Sequence, residues 1–102
     1  MVRFIICEDN KEFLTKIHNC ITKVMMPYNF EYKIDKFTEY NSKLHELIKL
    51  EGDQKVYILD IELGDISGLE IASEIREDDL ESVVLFITGH GECKNDIFYS
   101  RL

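Results

Sequence analysis

The chain alternates between two hydrophobic periodicities along its length. Compact apolar runs, typical of strands buried on both faces, occupy residues 2–7, 56–63 and 82–88. A further strand is predicted over residues 30–37, where apolar and charged side chains alternate as they do in a strand with one solvated face or at a sheet edge. Between these runs, apolar residues recur at helical spacing. The pattern therefore predicts strands separated by helices.

The helical segments carry their own start and stop signals. Pro27 stands just after the first helical pattern and cannot continue a helix. Ser67 offers an N-cap for the third helix. The predicted helices span residues 13–24, 42–51 and 68–76, and a last helix is expected from about Glu92.

The order of these elements is βαβαβαβα. Strands that alternate with helices of this length require right-handed crossovers and a parallel sheet covered on both faces. The chain has 102 residues, which is room for one domain and one hydrophobic core. We therefore predict a single α/β domain of three layers, with a doubly wound parallel sheet.

Composition and charge narrow the classes of function. The chain has 12 Lys and Arg against 20 Asp and Glu, which gives a formal charge of -8. A domain with this charge is badly suited to binding the phosphates of a nucleic acid. Contact with DNA would have to come from a separate domain. The first apolar run is too short for a signal peptide or a membrane span, and the three cysteines form no CxxC pair. We expect a cytoplasmic protein without a disulfide framework or a membrane partner.

Polar side chains stand where three of the predicted strands end. Glu8 and Asp9 follow the first strand, Asp60 interrupts the third, and Thr88 ends the fourth. The carboxyl ends of parallel strands meet at one edge of the sheet, which is where open α/β folds bind their ligands. Three carboxylates in one crevice would repel one another unless a hard cation such as Mg²⁺ lay among them. The sequence thus predicts a magnesium site at this edge.

Asp60 is the strongest candidate within this group. Acids are common where strands give way to turns, and this alone would explain Glu8 and Asp9 without any functional role. Asp60, however, lies inside an apolar run, where an unpaired charge would cost several kcal/mol. A carboxylate held beside a cation can act as a nucleophile toward a phosphoryl donor and become an aspartyl phosphate.

Three segments together carry a family resemblance, namely FIICEDN, VYILDIELGDISGLEIASEIR and VVLFITGH. The chain resembles the receiver domain of bacterial two-component response regulators over nearly all of its 102 residues. The segments LDIEL and ITGHGE most resemble those of regulators of the AgrA/LytR type, which join a receiver to a LytTR DNA-binding domain. The resemblance implies a flavodoxin-like fold with strand order 2-1-3-4-5 and activation by a sensor histidine kinase.

The resemblance also assigns roles to individual residues. Asp60 would be the phospho-acceptor, and Glu8 and Asp9 would form the acidic pocket for Mg²⁺, with Asp9 the more direct ligand. Glu62 would offer its backbone carbonyl to the metal, and Thr88 would be the switch hydroxyl that binds the phosphoryl group. Gly68 would open the loop into the third helix. These roles are those of a signalling module and not of an enzyme.

The end of the chain departs from the family pattern. Receivers have a fifth strand that carries a lysine, then a fifth helix, and Lys94 stands too early to match that lysine. Residues 1–102 would therefore form a receiver that is incomplete at its C-terminus. A strand over residues 83–87 would then be an edge without charge or proline, which invites pairing with another chain. We expect a homodimer through that edge or through exchange of the C-terminal segment.

Two other functions remain open from the sequence. A magnesium-dependent phosphatase of the haloacid dehalogenase type also uses an Asp at a strand end. That family needs a second Asp two positions later, where this chain has Glu62, and it needs a longer chain. A receiver that no longer accepts phosphate and acts only by binding is the other alternative, because the family lysine is missing.

Overall fold

The computed structural model describes residues 1–88 and 96–100, with the backbone alone at residues 88 and 96–100. The helices and strands alternate much as the hydrophobic pattern predicts. Their bounds are β1 Val2–Cys7, α1 Lys11–Met25, β2 Tyr32–Phe37, α2 Ser42–Lys49, β3 Gln54–Asp60, β4 Glu62–Leu63, β5 Ile66–Ser67, α3 Gly68–Asp78, β6 Val83–Thr88 and β7 Asp96–Ser100. No helix within the described residues is long and apolar enough to cross a membrane.

Five strands form the main sheet in the order β2-β1-β3-β6-β7. The first four are parallel, and β1 lies between β2 and β3, where Ile5 pairs with Asp35 of β2 and with Tyr57 of β3. Strand β2 lies at the edge of the sheet, as its alternation of apolar and charged residues predicts. The predicted α/β fold and the parallel order of the first four strands are confirmed.

Helices cover both faces of the sheet and divide the core in two. On one face α1 packs over β1, β3 and β6, and the buried residues there are Ile6, Leu14, Ile17, Ile21, Met25, Ile58 and Ile87. On the other face α2 and α3 pack over the same strands, with Ile5, Leu44, Ile48, Tyr57, Leu59, Ile71, Ile75 and Phe86 among the buried residues. Successive strand residues point to opposite faces, which is why Ile5 and Ile6 belong to different halves of the core.

The prediction of a last helix from about Glu92 is wrong over residues 96–100, the part of that segment that the structure describes. Asp96–Ser100 forms β7, which pairs antiparallel with β6. The edge of β6 is therefore covered by the same chain, and the predicted homodimer contact through that edge is wrong as well. Strand β7 pairs with the backbone groups of β6, which a helix would have left unpaired. Residues 92–95 lie outside the described residues.

The long apolar run over residues 56–63 also divides into two strands. Strand β3 ends at Asp60, and Glu62–Leu63 pairs with Ile66–Ser67 in a separate antiparallel hairpin. Gly64 has φ +76°, a left-handed conformation that permits the two-residue turn. Asp60 is consequently the last residue of its strand and stands at the carboxyl edge of the sheet.

Candidate functional site

Asp60 is held at the carboxyl end of β3. The residue is only 1% exposed, and its Oδ1 accepts a hydrogen bond of 3.2 Å from the backbone N–H of Glu62. The backbone that follows is fixed on two sides: Ile61 N donates to the carbonyl of Ile87 at 3.1 Å, and Gly68 N donates to the carbonyl of Ile61 at 2.8 Å. The backbone that directly follows Asp60 is thus held between β6 and the start of α3.

Glu8 and Asp9 follow β1 at the same edge of the sheet. Glu8 is fully buried, and its N–H donates to the carbonyl of Phe37 at the end of β2, at 2.9 Å. Asp9 is exposed. The side chain of Asn10 accepts a hydrogen bond from Phe13 N at 3.0 Å and so caps α1. The chain therefore turns from β1 into α1 directly after Asp9, with one acid facing the interior and one facing solvent.

The structure brings the three predicted acids together. One carboxylate oxygen each of Glu8, Asp9 and Asp60 lies within 4.8 Å of the other two. The field of this cluster reaches the neighbouring thiol: burial first, and then the charges of Asp60, Glu8 and Asp9, raise the pKa of Cys7 to about 12. Carboxylate oxygens at this spacing match the ligand preference of a hard divalent cation, so the residues fit Mg²⁺.

The other two predicted site residues are close in the chain to this cluster. Glu62 begins β4 two residues after Asp60, and its main chain already contacts the Asp60 carboxylate. Thr88 is the last residue of β6, next to Ile87, which pairs with Asp60. The backbone of Thr88 therefore lies at the same sheet edge. Its side chain lies outside the described residues, so the role of its hydroxyl stays a prediction.

The close packing of Gly68 against Asp60 was missed at the level of sequence. A Cβ on Gly68 would collide with the carbonyl oxygen of Asp60 and would lie 3.0 Å from its carbonyl carbon. Only glycine leaves room for the first turn of α3 at this place. No periodicity could have revealed the contact, because it joins the backbones of two segments that the hairpin β4–β5 brings together.

Comparison with known proteins assigns the architecture to a family. The model of the response regulator receiver domain matches residues 4–99. Accessory gene regulator protein A of Staphylococcus aureus is 30% identical over 92 residues, and its relative from Staphylococcus epidermidis is 28% identical over the same length. These matches cover 89% of this chain but only 39% of the relatives. The chain thus spans well under half of their length. A comparison with solved structures finds no match.

Proposed function

Because the chain belongs to the response regulator receiver domain family, we propose that it accepts a phosphoryl group on Asp60 and passes the resulting change to an output domain. The observation that carries the proposal is the buried carboxylate of Asp60 at the end of β3, clustered with Glu8 and Asp9. An acid placed so is a candidate nucleophile, because neighbouring carboxylates make a cation site beside it.

The donor is the phosphohistidine of a sensor histidine kinase. An oxygen of the Asp60 carboxylate attacks the phosphorus atom, the P–N bond breaks, and its electron pair leaves with the imidazole of the kinase. The product is an aspartyl phosphate. Asp60 acts here as a stoichiometric acceptor, so the domain is a signalling module and not an enzyme.

Residues of the acidic cluster would hold the cofactor. Asp9 and Asp60 would supply carboxylate oxygens, Glu8 would complete the acidic pocket, and Glu62 would supply its backbone carbonyl. Mg²⁺ bound there would neutralise the negative charge that gathers on the phosphoryl oxygens during transfer. Thr88 would donate its hydroxyl to a phosphoryl oxygen once Asp60 is modified.

The output is control of transcription through a part of the protein outside residues 1–102. The curated relatives are named as gene regulators and are much longer than this chain. A net charge of -8 makes this domain itself a poor surface for DNA, so DNA binding would belong to a separate output domain. The proposal takes residues 1–102 as the receiver part, working in the cytoplasm, where a kinase can reach it.

A homodimer is part of the proposal only in one form, in which two copies of the chain exchange their C-terminal segments.

A turnover experiment separates this function from that of a phosphatase. The chain is incubated with Mg²⁺ and a generic phosphate ester in one arm, and with acetyl phosphate in the other. We expect at most one phosphoryl group per chain from acetyl phosphate and no multiple-turnover release of phosphate from the ester. Sustained ester hydrolysis would favour the phosphatase. Absence of any modification, with folding confirmed by circular dichroism, would favour the module that acts only by binding.

A further inference from the structure

Large apolar side chains are exposed at the end of the sheet that lies opposite the acidic cluster. Residues 26–31, 50–53 and 79–82 are the loops that lead into β2, β3 and β6, so they meet at the amino edge of the parallel strands. Within the described residues, most of the exposed large apolar side chains belong to these loops or precede β1, namely Met1, Met26, Tyr28, Phe30, Leu50 and Leu80. We call these six residues and the three loops the basal face.

The apolar residues of the basal face include close neighbours. The ring centroids of Tyr28 and Phe30 lie 5.8 Å apart. Phe30 and Met1 both line an open pocket of about 390 Å³, which Glu31 of the first loop and Gly52 of the second also line. Single exposed apolar residues are normal on a protein surface, whereas grouped ones mark interaction sites. The grouping therefore indicates a surface that binds a partner.

Hydrogen bonds hold two of the basal loops in place. The N–H of Val2 in β1 donates to the carbonyl of Glu31 at 3.3 Å. In the third loop, the amides of Glu81 and Ser82 both donate to Asp79 Oδ1 at 3.0 Å. A surface that is already ordered loses little conformational entropy when a partner binds to it.

The three loops of the basal face are acidic. They contain no lysine or arginine, and their acids are Glu31, Glu51, Asp53, Asp79 and Glu81. Glu31, Glu51 and Glu81 are exposed, and none of them forms an ion pair with another residue that the structure describes. The basal face therefore presents negative charge beside exposed apolar side chains.

The cations that flank these loops are mostly engaged within the protein. Arg3 Nε donates to Asp53 Oδ2 at 2.7 Å, and the buried Lys55 donates to two backbone carbonyls at the end of α2. Lys33 Nζ lies 3.9 Å from a carboxylate oxygen of its own strand. Lys23, in the last turn of α1, is then one exposed cation beside three unpaired glutamates. The charge of the basal face stays negative.

This charge selects the kind of partner that fits. A second copy of the chain would place the same acids against one another, and an anionic membrane or a nucleic acid would be repelled as well. A polypeptide segment with Lys or Arg beside apolar residues would cover the exposed rings and also neutralise the glutamates. Complementarity of charge and of apolar surface thus favours a basic segment of a protein.

We propose that the basal face binds a segment of a second protein in which apolar residues are flanked by Lys or Arg. Tyr28 and Phe30 supply the apolar anchor, and Glu31 supplies charge at the rim of the same pocket. Strand β3 has seven residues, which span about 20 Å, so a partner bound here leaves Asp60 open to its phosphoryl donor. This interaction is separate from the phosphoryl transfer proposed above.

An NMR titration of the isotope-labelled chain tests the proposal. The probe is a synthetic peptide of about 14 residues with Leu and Lys at helical spacing. The control peptide has Glu in place of every Lys. We expect the Lys peptide to shift the amide signals of residues 26–31, 50–53 and 79–82, and the Glu peptide to shift none of them. Added salt should weaken binding of the Lys peptide.

Variants of the basal face separate the apolar contribution from the charge. Phe30→Ser and Tyr28→Ser should each weaken binding of the Lys peptide about tenfold, because each removes an aromatic anchor. Glu31→Lys should weaken it about fivefold, because it replaces an attraction with a repulsion. Glu46→Lys, on the exposed surface of α2, makes the same change of charge elsewhere, and Leu69→Ser removes an exposed apolar side chain elsewhere. Both controls should change the affinity about twofold or less.

Four results would overturn the proposal. The first is the absence of any shift, and the second is a set of shifts at residues 8–10 and 60 instead of the basal face, which would show a general attraction to acids. The third is equal binding of the two peptides, or an equal loss of affinity in Glu31→Lys and Glu46→Lys. The fourth is a change of the basal signals on dilution of the chain without peptide, because a second copy would then cover this surface.

Discussion

The backbone of Gly68 lies directly against the carbonyl group of Asp60, so that the first turn of α3 is packed onto the residue proposed to accept the phosphoryl group. The N–H of Gly68 donates to the carbonyl of Ile61 at 2.8 Å and holds the two segments together. Movement of α3 and of the Asp60 backbone is therefore coupled through a contact that has no side chain between its two parts.

Replacement of Gly68 tests this coupling. In Gly68→Ala the added methyl group collides with the Asp60 carbonyl, and we expect a loss of about 1–3 kcal/mol in the free energy of unfolding. Because the collision displaces Asp60, phosphorylation by acetyl phosphate should slow as well.

Gly52→Ala is the matched control for that variant. Gly52 has φ +103°, and a methyl group added there would meet no atom within 4 Å, so its substitution costs about 1–2 kcal/mol of backbone strain far from Asp60. Chemical denaturation and a phosphorylation time course are measured on both. A normal phosphorylation rate in folded Gly68→Ala would contradict the coupling.

Magnesium titrations distinguish the two acids that follow β1. Asp9 is exposed at the cluster, whereas Glu8 is fully buried beside it. We expect Asp9→Ala to weaken Mg²⁺ binding about tenfold or more, and more than Glu8→Ala does. Calorimetry or NMR gives the affinities, and Glu8→Gln, which keeps the volume of the side chain, guards against a loss of packing. Equal affinities in the Asp9 and Glu8 variants would count against direct coordination by Asp9.

An ion pair between Arg3 and Asp53, at the opposite end of the sheet, should stabilise the folded protein at neutral pH but not in acid. Arg3 Nε donates to Asp53 Oδ2 at 2.7 Å, and this hydrogen bond lowers the pKa of Asp53. A lowered folded-state pKa contributes stability above the unfolded-state value of about 3.9, and this contribution is lost as pH falls through the folded-state value.

Asp53→Asn should therefore be less stable than the wild type at neutral pH, and the difference should shrink in acid. Urea midpoints at several pH values measure it, with Glu31→Gln as the control at an exposed acid near the same end of the sheet. A difference that stays constant down to about pH 2.5 would show that Asp53 acts through packing and not through its charge.

The two cysteines in the described residues should differ in reactivity. Cys7 is buried and its pKa is raised to about 12, whereas Cys20 is exposed on α1. In a Cys93→Ser background, which removes the thiol outside the described residues, a thiol reagent should modify Cys20 in the native protein. Cys7 should react only after denaturation. Mass spectrometry of the labelled peptides decides, and rapid native labelling of Cys7 would contradict the buried position.

The sequence predicted those parts of the fold whose signals are local. The apolar runs of β1 and β6, the cap at Ser67 and the stop before Pro27 each follow from a few neighbouring residues, and the structure has strands and helices there. Likewise, the strand-end positions of Glu8, Asp9 and Asp60 were sufficient to predict one acidic cluster, because parallel strands end at a common edge.

The parts that failed depend on contacts between distant segments. Residues 96–100 form a strand because β6 offers an unpaired edge, a fact that their own sequence does not contain. The close packing of Gly68 on Asp60 and the carbonyl of Phe37 that holds Glu8 are backbone contacts, and hydrophobic periodicity carries no information about them.

The decisive experiment locates the modified residue. Wild type and Asp60→Asn are incubated with acetyl phosphate and Mg²⁺, and their intact masses are compared under conditions that preserve acyl phosphates. We predict one added phosphoryl group on the wild type and none on Asp60→Asn, because the amide cannot act as the nucleophile. Modification that persists unchanged in the folded Asp60→Asn protein would contradict the assignment of Asp60 as the acceptor.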